Sequence, residues 1–447
     1  MRILLLNPKS AEFEFRDPLL MRCGGAEKKA PYVMPPIGLA YLAAVLSKNF
    51  DVEIADLSVQ EKSSSYLRSF GCVIVSAGLS SIDEDLSLCR RIKTKKNAIG
   101  LCGITPSSFP DEIMKKEKSI RFIIQNITPE LSEISEKSIS FSDFSGIENI
   151  CFRKGGKLVK NKSASLKSID SLPSPRYNLL PSGYYDILAK GKRIAAMVTS
   201  LGCPFSCNFC SANSRRTYSE KSLKRIFSEI NTLCSEYDDI IFWDDNFTAD
   251  RKRCEKICDY LKTKKISFRC LSRPDSVDYS LLKKMKEAGC YQIQFGIESG
   301  SERMLERMGK RLSIEKAREA IRFCDRLGIE TVAFFIMGYP GENESDISKT
   351  RKFIMETKPD FISLNQYIKM PGSKVQGKGA HPDFKNAVIS ERIGNLYRDY
   401  YLNLNYVLFR MKKLVMHPGY ASLFMMQNIR FWREREGKLW KAIQKND

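Results

Sequence analysis

"TSLGCPFSCNFCS" (residues 199–211) begins as an apolar segment ends, and it spaces Cys203, Cys207 and Cys210 by gaps of three and two residues, with Phe209 just before the last thiol. Three thiolates on one short loop suit a metal centre with one position left open. Zinc usually takes four ligands. The chain has only two histidines, His381 and His417, both far from the trio, so a structural zinc lacks an obvious fourth ligand. A cubane iron–sulfur cluster tolerates three thiolates and leaves one iron for an exogenous ligand.

The trio follows "IAAMVTS" (194–200), the first of a series of strand candidates. The others are "DIIFWDD" (239–245), "SFRCLSR" (267–273), "YQIQFGIE" (291–298), "TVAFFIMG" (331–338) and "FISLNQYI" (361–368), with helical stretches such as 219–235 and 313–327 between them. Strand–helix alternation of this kind predicts a partial (β/α)6 barrel over 194–375, with its chemistry at the carboxyl ends of the strands. The thiols sit at such an end.

Upstream, residues 1–145 alternate strands at 2–8, 52–57, 72–78, 98–103 and 121–126 with helices at 36–48, 83–94 and 109–117. This predicts a doubly wound, Rossmann-like parallel sheet whose ligand crevice lies beyond the strand carboxyl ends. Residues 146–193 read as a hairpin around "CFRKGGKLVKN" and a Pro/Ser-rich linker. Residues 376–447 read as a basic helical region; 385–447 carry 12 Lys/Arg against 5 Asp/Glu. A helical cap on the barrel is the simple expectation for it, and contact with a membrane surface is the alternative.

With 43% hydrophobic and 28% charged residues, the composition is that of a globular protein. There is no apolar run of membrane-spanning length, and "MRILLLNPKS" is too short in apolar content for a signal-peptide core, so a cytoplasmic enzyme is expected. Most of the 14 cysteines sit singly in apolar segments and read as reduced core residues, Cys254 and Cys258 included. The net charge of +21 is dispersed and no nucleic-acid motif accompanies it, so no nucleic-acid partner is expected. An enzyme acting on RNA or protein is the alternative this charge suggests. A metal-binding module without turnover is the non-enzyme alternative.

The thiol pattern, with Phe209, resembles the cluster-binding loop of the radical S-adenosylmethionine (SAM) superfamily. Supporting segments follow in order: "IIFWDDNFTAD" (240–250), "LSRPDSVD" (271–278), "FGIESGSERMLERMGK" (295–310), "FIMGYPGE" (335–342) and "KMPGSKV" (369–375), the last with Ser373 where the family has threonine. The resemblance implies a [4Fe-4S] cluster on Cys203, Cys207 and Cys210. It also implies a SAM site drawn from Phe209, Asp244, Asp245, Ser272, Arg273, Glu298, Ser299, Met337 and Gly338, with Asp244 or Asp245 on the methionine ammonium. It implies reductive cleavage of SAM to a 5′-deoxyadenosyl radical that removes hydrogen from an unactivated carbon. An electron donor such as flavodoxin or ferredoxin is the expected partner. No residue is assigned to the hydrogen-transfer chemistry itself.

"VMPPIGLAYLAAVL" (33–46), "CVIVSAGLSS" (72–81), "LCGITPSSFPDEI" (101–113) and "LPSPRYNLLP" (172–181) resemble the subgroup with an N-terminal cobalamin-binding domain. This implies a cobalamin site near Pro36, Ser76 and Gly103, and methylation of a lipid-like or natural-product substrate. The cobalt-ligating histidine motif is absent, the usual Gly-Gly pair reads Cys102-Gly103, and the expected Gly-Glu-x-Glu run reads "NITPEL" (126–131). A relic domain without cobalamin is therefore the alternative, with cyclisation, coupling or rearrangement as the reaction.

Overall fold

In the computed structural model the described residues are 1–9, 16–17, 19, 22–23, 34–181, 185, 193–211, 218–375 and 387–416. His381, His417 and the tail beyond 416 lie outside them. The first sheet is built from β1 (Arg2–Asn7), β2 (Asp51–Asp56), β3 (Cys72–Ser76), β4 (Ala98–Cys102) and β5 (Ile120–Ile124). These run parallel in the order β2-β1-β3-β4-β5. Alternate side chains of β1 feed opposite cores, as strand periodicity requires. Ile3 and Leu5 join the core under α1 (Ile37–Leu46), while Leu4 and Leu6 join that under α2 (Ile82–Ile92) and α3 (Pro110–Lys116). Burial on both faces explains why these strands are continuous apolar runs. The hairpin β6 (Ile150–Lys154) and β7 (Lys157–Lys160) continues this sheet past β5 as two antiparallel strands.

The second sheet follows chain order: β8 (Ile194–Met197), β9 (Asp239–Phe242), β10 (Ser267–Ser272), β11 (Cys290–Glu298), β12 (Glu330–Met337) and β13 (Phe361–Gln366), all parallel. The intervening helices are α4 (Leu223–Glu236), α5 (Arg251–Lys262), α6 (Tyr279–Glu287), α7 (Glu302–Arg307), α8 (Ile314–Leu327) and α9 (Glu344–Thr357). Local signals agree with these bounds. Ser313 Oγ accepts from Glu315 N at the start of α8, and Gly328 ends the helix in the left-handed region at φ +62°. This is the expected partial barrel. The linker before it is tied to the first unit by Tyr185, whose hydroxyl donates to Asp56 Oδ2 at 3.0 Å, and by Arg176 N donating to Ala40 O at 3.1 Å.

Helix α10 (Ala387–Tyr401) runs along β13, with Ile362 N and Leu364 N donating to the Tyr401 and Tyr397 hydroxyls, and α11 (Leu404–Met416) packs at the amino-terminal ends of β12 and β13. Buried Asp360 is the anchor there. Lys413 Nζ lies 2.7 Å from both its oxygens, Arg410 Nη1 donates to Oδ1, and Thr331 N donates to Oδ2 at 2.9 Å. Burial pushes the neighbouring Glu330 carboxyl up to about 7. Helix α11 therefore turns Arg410 and Lys413 inward and leaves Leu404, Leu408, Met411 and Val415 exposed, the reverse of an ordinary surface helix. Among the described residues no helix is long and apolar enough to cross a membrane.

Candidate functional site

The cysteine loop leaves the carboxyl end of β8 and is held at both ends before any metal arrives. At its start, fully buried Asp244 at the end of β9 accepts from Thr199 N at 2.6 Å, Ser200 N at 3.0 Å and the Thr199 hydroxyl. Arg253 of α5 donates to Thr199 Oγ1 at 2.7 Å, with its Nη2 3.7 Å from Asp244 Oδ2. Gly202 then takes φ +77°, which turns the chain into Cys203. Toward the far end, Asn208 N donates to Met308 O at 2.8 Å and Asn208 Nδ2 to Arg307 O at 3.1 Å, while Lys374 N donates to Asn208 O at 2.7 Å. The loop is thus pinned to the end of α7 and to the segment after β13.

Cys207 is buried, and Cys203 and Cys210 are half-buried. Burial raises the Cys203 thiol above its ordinary range; the Phe205 N–H opposes this, Asp245 and Cys207 reinforce it, and Arg273 opposes it. Among the described residues no three Cys, His, Asp or Glu side chains converge as ligands of a single ion would. A cubane binds its three thiolates through three different irons, so the trio does not need to meet at one point. Three sulfurs on one loop, one of them 3.5 Å from a guanidinium, form a donor set that fits such a cluster.

The two adjacent carboxylates have different positions. Asp244 faces into the protein with both oxygens engaged, whereas half-buried Asp245 lies close enough to Cys203 to perturb its thiol. Of the two carboxylates expected at the ammonium, Asp244 is thus the one committed to holding the loop. Two other expected SAM residues point elsewhere. Ser272 Oγ pairs with Thr248 Oγ1 at 2.6 Å and donates to Arg273 O. Ser299 Oγ accepts from Ser301 N and pairs with Thr350 Oγ1, each at 3.2 Å, and is fully buried. Both hydroxyls lock strand ends to neighbouring elements. Arg273 likewise grips Asp275 in a fork at 2.9 and 2.8 Å and donates to Lys310 O at 2.8 Å.

Glu298 closes β11 with φ +74°, a strained conformation for a non-glycine residue that accumulates at functional sites. Its Oε1 accepts from Lys310 Nζ at 3.0 Å, and both groups are nearly buried. Phe209 packs against Met304, Met308, Tyr339 and Tyr367. Met337 is buried, and Gly338 after it has φ +78° and donates its N–H to Glu342 Oε2 at 2.5 Å. Burial pushes the Glu342 carboxyl up to about 7. Lys310, Arg253 and Glu342 were not singled out from sequence. Lys310 and Glu342 do stand inside the motif segments, but Arg253 lies on a helix that carries no such signal.

At the carboxyl ends of the first sheet, Gly103 has φ +113°, and a Cβ there would stand 2.6 Å from Ala77 O. The glycine is therefore required by the close crossing of the loops after β3 and β4, whether or not a ligand binds. Ser76 is buried against the Cys102 thiol, and Pro36 precedes α1, whose Gly38 N donates to Asp17 Oδ2 at 2.7 Å. Asn7 Oδ1, on the last residue of β1, and Thr105 Oγ1, just beyond β4, are buried without a hydrogen-bond partner. Orphaned polar atoms at two strand ends fit a polar ligand in the crevice.

Residues 197–354 match the Radical SAM superfamily. An uncharacterised methyltransferase of Pyrococcus horikoshii is 29% identical over 76% of this chain and 77% of its own length. The anaerobic magnesium-protoporphyrin IX monomethyl ester cyclase of Cereibacter sphaeroides is 25% identical over 78% of this chain and 60% of its own length. TsrM of Kitasatospora setae, a radical SAM methyltransferase solved with cobalamin and a [4Fe-4S] cluster, shares the fold with a TM-score of 0.64 at 17% identity, over 83% of this chain and 73% of its own.

Proposed function

We propose that the chain, whose residues 197–354 match the Radical SAM superfamily, is a radical SAM enzyme that methylates an unactivated carbon of a small molecule with the help of cobalamin. Cys203, Cys207 and Cys210 would hold the [4Fe-4S] cluster, Asp245 the SAM ammonium, and Phe209 with the backbone at Met337–Gly338 the adenosyl group. When bound, the cluster and SAM supply reductive cleavage of a carbon–sulfur bond and the 5′-deoxyadenosyl radical. The chain's own part is to bind, orient and exclude water. Asp244 and Asn208 fix the loop, Glu298 and Lys310 present paired charges, and Tyr339 and Tyr367 cover Phe209. The observation that carries the cobalamin reading is the pair of orphaned atoms, Asn7 Oδ1 and Thr105 Oγ1, at the carboxyl ends of the first sheet.

The test is cobalamin content, by absorbance and chromatography, of protein purified without oxygen from cobalamin-fed cells. Near-stoichiometric cobalamin supports methylation. An intact cluster without cobalamin instead favours a cyclisation, coupling or rearrangement. A one-electron donor of the flavodoxin or ferredoxin kind would supply the reducing equivalent. The exposed apolar face of α11, followed in sequence by the basic stretch 417–447, supports contact with an acidic membrane surface and a lipid-like substrate. Failure to co-sediment with anionic liposomes at low salt would remove that support.

A further inference from the structure

We infer that Arg273 is a positioning residue for the iron–sulfur cluster: it hydrogen-bonds the Cys207 sulfur and tunes the cluster's reduction, rather than binding SAM. The inference rests on the proposed cluster site. Arg273 Nη1 points at Cys207 Sγ from 3.5 Å. Its guanidinium carbon lies 3.9 Å above the centroid of the Phe205 ring, inside the cysteine loop itself. Nε and Nη2 engage Asp275 at 2.9 and 2.8 Å, and Nη2 also donates to Lys310 O at 2.8 Å. A guanidinium has five N–H donors in a fixed plane. Three contacts, two to Asp275 and one to Lys310 O, occupy Nε and Nη2 and leave the Nη1 edge, which faces the thiol.

The same guanidinium links two parts of the site. Through Lys310 O it touches the residue whose ammonium pairs with Glu298, and through Phe205 and Cys207 it grips the loop. A planar, permanently charged group, itself nearly buried, differs from the mobile surface lysines elsewhere on the chain. Donors and positive charge beside a ligating sulfur stabilise the extra electron of the reduced cluster and raise its potential.

The experiment compares wild type, Arg273→Gln, Arg273→Lys and Phe205→Leu, each anaerobically reconstituted, by iron and sulfide content and by electron paramagnetic resonance at a fixed ambient potential. Arg273→Gln should keep its iron while its reduced-to-oxidised ratio falls about tenfold, which is about 59 mV for a one-electron couple. Arg273→Lys keeps the charge but not the fork and should fall part of the way. Phe205→Leu removes the shelf under the guanidinium without changing charge, and should shift the ratio less but in the same direction. A wild-type ratio in a fully loaded Arg273→Gln overturns the proposal. If that variant holds no cluster, wild-type ratios in both Arg273→Lys and Phe205→Leu overturn it. If the wild type itself shows no [4Fe-4S] signal, the underlying site assignment has failed, which is a distinguishable result.

Discussion

Replacing Asp244 and Asp245 one at a time by asparagine should separate two roles that the sequence leaves merged. Asp244 accepts two backbone N–H groups and the Thr199 hydroxyl, and its charge faces Arg253, which is nearly buried. Asparagine keeps one neutral acceptor, puts an amide donor toward the other contacts and leaves Glu220, 3.2 Å from Arg253 Nε, as the carboxylate that pairs with that guanidinium. Breaking one side of a buried pair costs about 3–5 kcal/mol; the surviving Glu220 contact places the expected loss near the lower end, about 3 kcal/mol. Asp245→Asn should cost much less stability than Asp244→Asn. If Asp245 takes the SAM ammonium as proposed, the change removes a charge-assisted hydrogen bond worth about 1.5–3 kcal/mol, or roughly 10- to 150-fold in affinity. Urea unfolding and equilibrium binding of SAM to the reconstituted protein read the two effects. The reasoning is refuted if Asp245→Asn binds SAM like wild type, or if Asp244→Asn weakens SAM binding at unchanged stability.

Three further outcomes follow from the buried groups. Glu342 has a carboxyl raised from 4.5 to about 7 in the folded protein. Its contribution to stability is full below pH 4.5 and is lost as pH rises to about 7, and Glu342→Gln should flatten that part of the stability–pH curve measured by thermal unfolding. Asp360→Asn takes the carboxylate from Lys413 and Arg410 and should cost about 3 kcal/mol by denaturant unfolding; a loss below about 1 kcal/mol, the scale of an exposed pair, would show that α11 does not depend on it. Gly103→Ala forces a side chain into a left-handed residue against Ala77 O and should destabilise by about 1–3 kcal/mol and lower the cobalamin retained on purification. Unchanged stability would show that the β3 and β4 loops can part.

What was legible in the sequence is whatever position along the chain determines. Both sheets are built from apolar runs such as "RILLLN" and "TVAFFIM", and the thiol spacing places the loop at a strand end. A motif fixes where a residue occurs but not which way its side chain turns. That is why Asp244 and Asp245 could not be told apart, and why Ser272 and Ser299 proved to face structural partners. Partners distant in sequence were equally hidden. Arg253 meets Thr199 across 54 positions, and the β6–β7 hairpin joins the first sheet through pairing with β5 that no local pattern announces. Helix α11 inverted its expected polarity because Asp360, just before β13, draws Arg410 and Lys413 inward.

The ion pairs near the thiols have a common form. Arg253 pairs with Asp244 and Glu220, Arg273 with Asp275, and Lys310 with Glu298, each cation nearly buried. Desolvated charges need partners, and such pairs are weak evidence for stability in themselves. Their arrangement here has a different consequence. Asp244 holds the loop's first residues, Arg273 its middle, and Asn208, bonded to Met308 and Lys374, its end. A loop restrained at three points loses less conformational freedom when metal binds, so more of the thiolate–iron interaction appears as affinity. These three cations already belong to carboxylates. What Arg273 adds beside Cys207 is then a directed hydrogen bond more than a bulk positive field, which is why Arg273→Lys, with the charge kept and the fork lost, is the variant that separates the two.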